Sequence, residues 1–147
     1  MNLQSILRMC KKLLLSLVAV LSMLTVSSCD PSESIIRFGV KQANASCPMY
    51  LDDGLTMTSV EYSGGYVTYS YECDEDYFDL SVLGDENPTM KRGILDDLRE
   101  QARTDKSVKA FLDALKKTQT GLIYAYLVAD SSLPYILTIE SYELPNL

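Results

Sequence analysis

The chain has 147 residues, 13 basic and 20 acidic, for a net charge of −7, and it contains neither histidine nor tryptophan. Such a balance repels nucleic acid and anionic lipid surfaces, and the absence of histidine excludes Ser-His, Cys-His and His-metal constellations. The length suits one domain with a single core and is too short for two.

Arg8, Lys11 and Lys12 form a positive amino-terminal region with no acid before Asp30. Residues 13–26 are apolar except for Ser16, Ser22 and Thr25. At 1.5 Å per residue this run spans roughly 21 Å, short of the ~30 Å hydrocarbon core, so it reads as an export signal rather than a membrane-spanning helix. Met9 is an alternative start that leaves the mature protein unchanged. The run closes on Val26-Ser27-Ser28-Cys29, which resembles the lipobox of bacterial lipoproteins. The resemblance implies that the signal peptide 1–28 is removed and that Cys29 carries the acyl chains, palmitate among them. It places the protein in the cell envelope, on the outer membrane or the periplasmic face of the inner membrane. Asp30 resembles an inner-membrane retention signal in some Gram-negative bacteria and a surface-export signal in others, so the leaflet stays open. Without residues 1–28, 119 residues remain, ten basic and twenty acidic, for a net charge of −10.

Residues 29–33 read as a short tether, at most ~17 Å when extended, before a single domain at 34–147. Residues 34–46 read as a helix, with Ile36, Val40, Ala43 and Cys47 on one face. Gly39 weakens that helix and Pro48 stops it. Residues 55–62 and 65–73 are strands joined by the tight turn Ser63-Gly64-Gly65, and Val67, Tyr69 and Tyr71 share one face of the second. Residues 74–87 form an acidic connection. It lacks the ligand order of a calcium loop and reads as a solvated turn. Pro88 opens an amphipathic helix over residues 88–102, and Thr104 or Asp105 caps another over 106–118. Their short link predicts an antiparallel pair. Residues 121–129 are nearly all apolar, as in a central strand covered on both faces. After a turn, residues 135–143 alternate as a last strand. Gly65-x3-Tyr69-Ser70-Tyr71 faintly echoes Gly121-x2-Tyr124-Ala125-Tyr126, a weak sign because Tyr-x-Tyr is a common strand pattern. The expected fold is α+β in the order α-β-β-α-α-β-β: a four-stranded antiparallel sheet made of two hairpins, with three helices mainly on one face.

Asn44-x-x-Cys47-Pro48-x3-Asp52, then Met57-x-Ser59-Val60, then a tyrosine-rich strand, two helices and a final hairpin resemble a family of small Gram-negative envelope proteins. Leu55 stands where that family's pattern has threonine. The resemblance implies compartment and fold and carries no activity.

Cys47 has only carboxylates and lysines to serve as a base, so it reads as a structural thiol and not a nucleophile. Asp52 and Asp53 beside Gly54 form an acid pair, with turn residues as the plainer reading. Cys10 leaves with the signal and Cys29 is acylated, so Cys47 and Cys73 are expected to pair as a disulfide in an oxidising compartment. Pairing 62 with 65 across the turn would set residue 54 opposite Cys73, near the chain arriving from Cys47. Tyr66, Tyr69 and Tyr71 are the candidate ligand-binding surface, against the alternative that such rings fill the core. No metal or cofactor is expected. The partners implied are the membrane, through Cys29, and a protein, peptide or carbohydrate, but not nucleic acid. The expectation is a membrane-anchored binding or assembly module without enzymatic activity. The alternative is a small carboxylate-dependent hydrolase of the periplasm using Asp52 or Asp53.

Overall fold

A computed structural model describes residues 30–76, 88–128, 131 and 133–146. The export signal with Cys29, and residues 77–87 of the acidic connection, lie outside the described residues. The first helix, α1, is Pro31–Ala45. Asp30 caps it, with its side chain accepting from the Ser32 N–H at 3.0 Å, and Pro31 occupies the first turn, where its missing donor costs nothing. The helix therefore starts three residues earlier than the periodicity indicates. Residues 30–33, expected to be tether, are its cap and first turn.

Ile36, Val40 and Ala43 form the buried face of α1. Gly39 belongs to it as well: a Cβ there would lie 3.3 Å from the Phe111 ring, so glycine lets α1 approach its neighbour closely. The second helix, α2, is Pro88–Thr104, and the third, α3, is Lys106–Lys117. Asp105 makes the break between them, capping α3 through the N–H groups of Ser107 and Val108 at 2.7 and 3.4 Å.

The sheet has five strands, not four: β1 Met49–Asp52, β2 Leu55–Ser63, β3 Tyr66–Cys73, β4 Gly121–Val128 and β5 Tyr135–Ile139, adjacent in that order. It is mixed rather than antiparallel. β3 and β4 run parallel, and the other neighbours run antiparallel. The physical reason is the connection: α2 and α3 form a crossover long enough to return the chain to the same end of the sheet. The added strand β1 pairs Met49 with Met57 and Tyr50 with Thr56. The β2–β3 turn pairs Ser63 with Tyr66, which moves the partner of Cys73 two residues along β2 from Gly54, and a bulge in β2 between Met57 and Ser59 takes back one of them, so Cys73 faces Leu55. The last strand ends at Ile139, and Ser141–Glu143 form a short 3-10 turn.

The helices and the inner face of the sheet share one core, from Ile36 through Val60, Leu98 and Leu112 to Ile139. Side chains of β2 to β5 alternate between buried and partly exposed or exposed, so the second face is open among the described residues. β4 follows this pattern. Leu122, Tyr124, Tyr126 and Val128 are buried, whereas Ile123, Ala125 and Leu127 are not, so the expectation of cover on both faces is corrected.

Candidate binding surface

The tyrosines expected to form a ligand surface divide between the two faces. Tyr69 and Tyr71 point into the core, where they pair in parallel register with Tyr124 and Tyr126. The four rings stack as a ladder, with centroids 5.3 Å apart for Tyr69–Tyr124 and 5.0 Å for Tyr71–Tyr126. Stacked pairs of this kind contribute ~0.5–1.5 kcal/mol each beyond area burial. Buried rings cannot contact a ligand at the surface, so Tyr69 and Tyr71 are packing residues. Tyr66 lies on the open face. Its ring covers Gly121, and its hydroxyl donates to both oxygens of Glu140, at 3.1 and 3.0 Å. The Glu140 carboxylate holds the Tyr66 phenol above its ordinary range, with burial adding to the effect.

Asp52 and Asp53 lie at the β1–β2 turn. The Asp53 N–H donates to Asp52 Oδ1 at 3.0 Å, and the Tyr50 hydroxyl donates to Asp53 Oδ1 at 3.0 Å. Gly54 supplies the positive φ of 74° that the turn requires. This is turn chemistry, and the two carboxylates do not face each other across a pocket.

Cys47 and Cys73 are both free thiols, which corrects the expected disulfide. The register gives the reason. Cys47 precedes Met49, the partner of Met57, and so lies toward Val60, whereas Cys73 is opposite Leu55. Four residues of strand separate these levels, about 13 Å, against a Cα limit of about 7 Å for a disulfide. Cys47 Sγ donates to the Ala43 carbonyl at 3.4 Å. Desolvation raises its pKa, and it pushes Cys73 up to about 12.

The surface that remains is the open face of the sheet. Thr56, Thr68 and Ser70 make its centre polar, and Ile123, Leu127 and Ile136 form an apolar strip along β4 and β5. The strip ends in a broad depression of about 690 Å³ lined by Tyr50, Thr56, Leu127 and Ser131, with Asp53, Glu72, Asp74, Glu75 and Asp76 around it. Tyr50 is 68% exposed there. Sequence reasoning missed Tyr50 because it missed β1. The available signal was the apolar alternation of Met49 and Leu51 directly after Pro48. The cavity under the helices, beside Tyr69 and Phe111, is only about 20 Å³ and admits nothing larger than a water molecule. Among the described residues no group of three or more Cys, Asp or Glu side chains is arranged to hold a metal, and no helix is long and apolar enough to cross a membrane.

The fold has a counterpart among solved structures. A protein from Pseudomonas aeruginosa described as secreted superposes with a TM-score of 0.52 at 8% identity, over 80% of this chain and 98% of that one. The pilotin of the Vibrio vulnificus type 2 secretion system superposes with a TM-score of 0.49 at 10% identity, over 79% and 96%. At such identity the first likeness concerns the fold alone, and the second is looser still. No family model matches the sequence, and no curated protein does.

Proposed function

We infer that this chain is a lipid-anchored binding or assembly module of the bacterial envelope, held to the membrane through Cys29 and binding a protein or peptide on its open sheet face. The observation that carries the binding half of this reading is the sheet face that the described residues leave uncovered. Three helices pack on one side of five strands, while the other side presents Ile123, Leu127 and Ile136 on β4 and β5 and the exposed Tyr50 across the sheet on β1. Aromatic and aliphatic groups framed by polar ones are what a docking surface requires. The ordered signal ending at Cys29 supports the anchor, and a fold shared with a protein described as secreted is compatible with that compartment.

The reading gives the chain no hydrolytic role. The sequence has no histidine, and Asp52 and Asp53 are engaged in a turn. Two measurements test it. Wild-type protein should label with palmitate and partition into membranes, and Cys29→Ser should abolish both. A Cys29→Ser protein still acylated and membrane-bound would remove the anchor from the account. Screening against ester, glycoside, peptide and phosphate substrates should give only background. A turnover lost in Asp52→Asn or Asp53→Asn would establish the hydrolase instead.

A further inference from the structure

The two ends of the sheet differ in what they carry. At one end β3 and β4 begin, with Tyr66 paired to Gly121, and β5 runs out into the Ser141–Glu143 turn. The start of α1 and the end of α3 gather at this end, because Lys117 Nζ lies 3.3 Å from Asp30 Oδ1. Lys116 donates to the Pro145 carbonyl at 3.5 Å, and Lys91 pairs with Glu143 at 2.7 Å. The opposite end carries Asp53, Asp74, Glu75 and Asp76. The eight residues of β4 separate the two ends by about 26 Å.

Cys29 is bonded directly to Asp30, so their Cα atoms are about 3.8 Å apart. Asp30 is itself fixed, capping α1 through Ser32 and pairing with Lys117. A lipid on Cys29 therefore has no spacer and holds this end of the domain at the headgroups. Tyr142 projects from the same end and is 84% exposed. A phenol ring with an apolar body and a polar tip suits the headgroup layer, and the pairing of Lys117 with Asp30 and of Lys91 with Glu143 keeps the charge beside it balanced. The distant acids fit the same orientation. At about 26 Å they lie some three Debye lengths from the bilayer at physiological salt, so their repulsion from anionic lipid is screened.

We propose that the end bearing Tyr142, Lys116 and Lys117 is the surface that seats on the bilayer, with the Tyr142 ring at headgroup level and the acidic end turned away from the membrane. The proposal rests on the lipid anchor at Cys29. It makes the acidic end and its depression the part of the molecule presented to partners across the envelope.

Photo-cross-linking in native membranes tests it. In the full-length protein Tyr142 and, separately, Tyr50 are replaced by p-benzoylphenylalanine, an aromatic exchange at exposed sites at the two ends. The same samples are labelled with palmitate. The expected result is an acylated protein whose phospholipid adduct is at least tenfold stronger from position 142 than from position 50. An acylated protein with equal adducts, with the stronger adduct from position 50, or with none from position 142 overturns the seating while leaving the anchor intact. Failure to acylate overturns the anchor and the seating together.

Discussion

The Asn44 side chain accepts a hydrogen bond from the Val60 N–H at 3.0 Å, and this contact ties the end of α1 to β2 where the strand lacks a neighbour. β1 covers β2 only as far as Met57, and the bulge before Ser59 follows at once. Beyond that point the Val60 N–H meets a helix side chain in place of a strand. Asn44→Ala leaves this donor without its partner and should destabilise the protein by ~1–2 kcal/mol in urea denaturation, while Asn44→Asp keeps an acceptor and should cost less. An unchanged midpoint for Asn44→Ala contradicts the role.

Gly121 is the second position where a small change should matter. A Cβ there would lie 2.6 Å from the Tyr66 ring and 2.9 Å from the Ile139 carbonyl. That carbonyl is fixed by the pairing of Leu122 with Ile139. Gly121→Ala should therefore cost ~1–3 kcal/mol, since neither neighbour can withdraw without breaking the sheet edge. Tyr66→Phe keeps the ring over the glycine and loses only the bond to Glu140, so it should cost less than Gly121→Ala. Thermal melts of the two variants check the order.

The thiols give a chemical readout. Cys73 is buried, with its pKa pushed to about 12, and desolvation also raises Cys47. Thiolate is the reactive form, so both should alkylate slowly near neutral pH, with Cys47 reacting first and Cys73 reacting only on unfolding. Intact mass of the natively exported protein should show two free thiols with or without reductant. A mass lighter by two hydrogen atoms, restored by reductant, contradicts this.

Acid should loosen the end of the sheet where Asp30 and Glu143 lie. The backbone hydrogen bond from Ser32 lowers the Asp30 pKa below its ordinary 3.8, with help from Lys117. For Glu143, burial works to raise the pKa, but Lys91 and the Glu140 N–H outweigh it and bring the value below the ordinary 4.5. Groups with depressed folded pKa values add stability that is present above their unfolded values and lost as pH falls through the folded ones. Stability should therefore be flat from neutral pH to about 5 and decline below about 4.5, with a shallower decline in Glu143→Gln. Asp30 is exposed and Glu143 is partly exposed, so solvent screens both pairs and the effect is modest. Urea midpoints across this range measure it, and a slope unchanged by Glu143→Gln excludes the Lys91 pair as a cause.

Much of the helical layer was legible in the sequence. The apolar steps from Met90 to Ala102 and from Val108 to Leu115 placed α2 and α3 within two residues of their observed ends, and the face shared by Val67, Tyr69 and Tyr71 is indeed a single face. The sheet was less legible, because strand partners are set at long range. β1 is only four residues long and ends in an acid, so it offered little pattern. The apolarity of β4 suggested burial on both sides, but it reflects one core face and one open apolar strip. The faint echo between the two Tyr-x-Tyr segments was the best available clue to the parallel pair, since Tyr69 faces Tyr124 and Tyr71 faces Tyr126. Exposure of the tyrosines could not be read from alternation alone, which defines two faces without saying which one the helices cover. The disulfide expectation failed on the unseen β1, which carries Cys47 away from Cys73, whereas the turn and the β2 bulge together moved the partner of Cys73 only from Gly54 to Leu55.

The open sheet face as a binding surface is tested most directly by comparative capture from envelope extract. Three forms of residues 30–147, with Asp30 kept because it caps α1, are immobilised at equal density: the unaltered domain, Ile123→Arg on the open face, and Lys109→Glu on an exposed face of α3. The account predicts that one protein is retained in stoichiometric amount by the unaltered domain and by Lys109→Glu, and is lost with Ile123→Arg while that variant keeps its thermal melt. A partner retained by Ile123→Arg and lost with Lys109→Glu would place binding on the helices and contradict the account, as would no retention by any form.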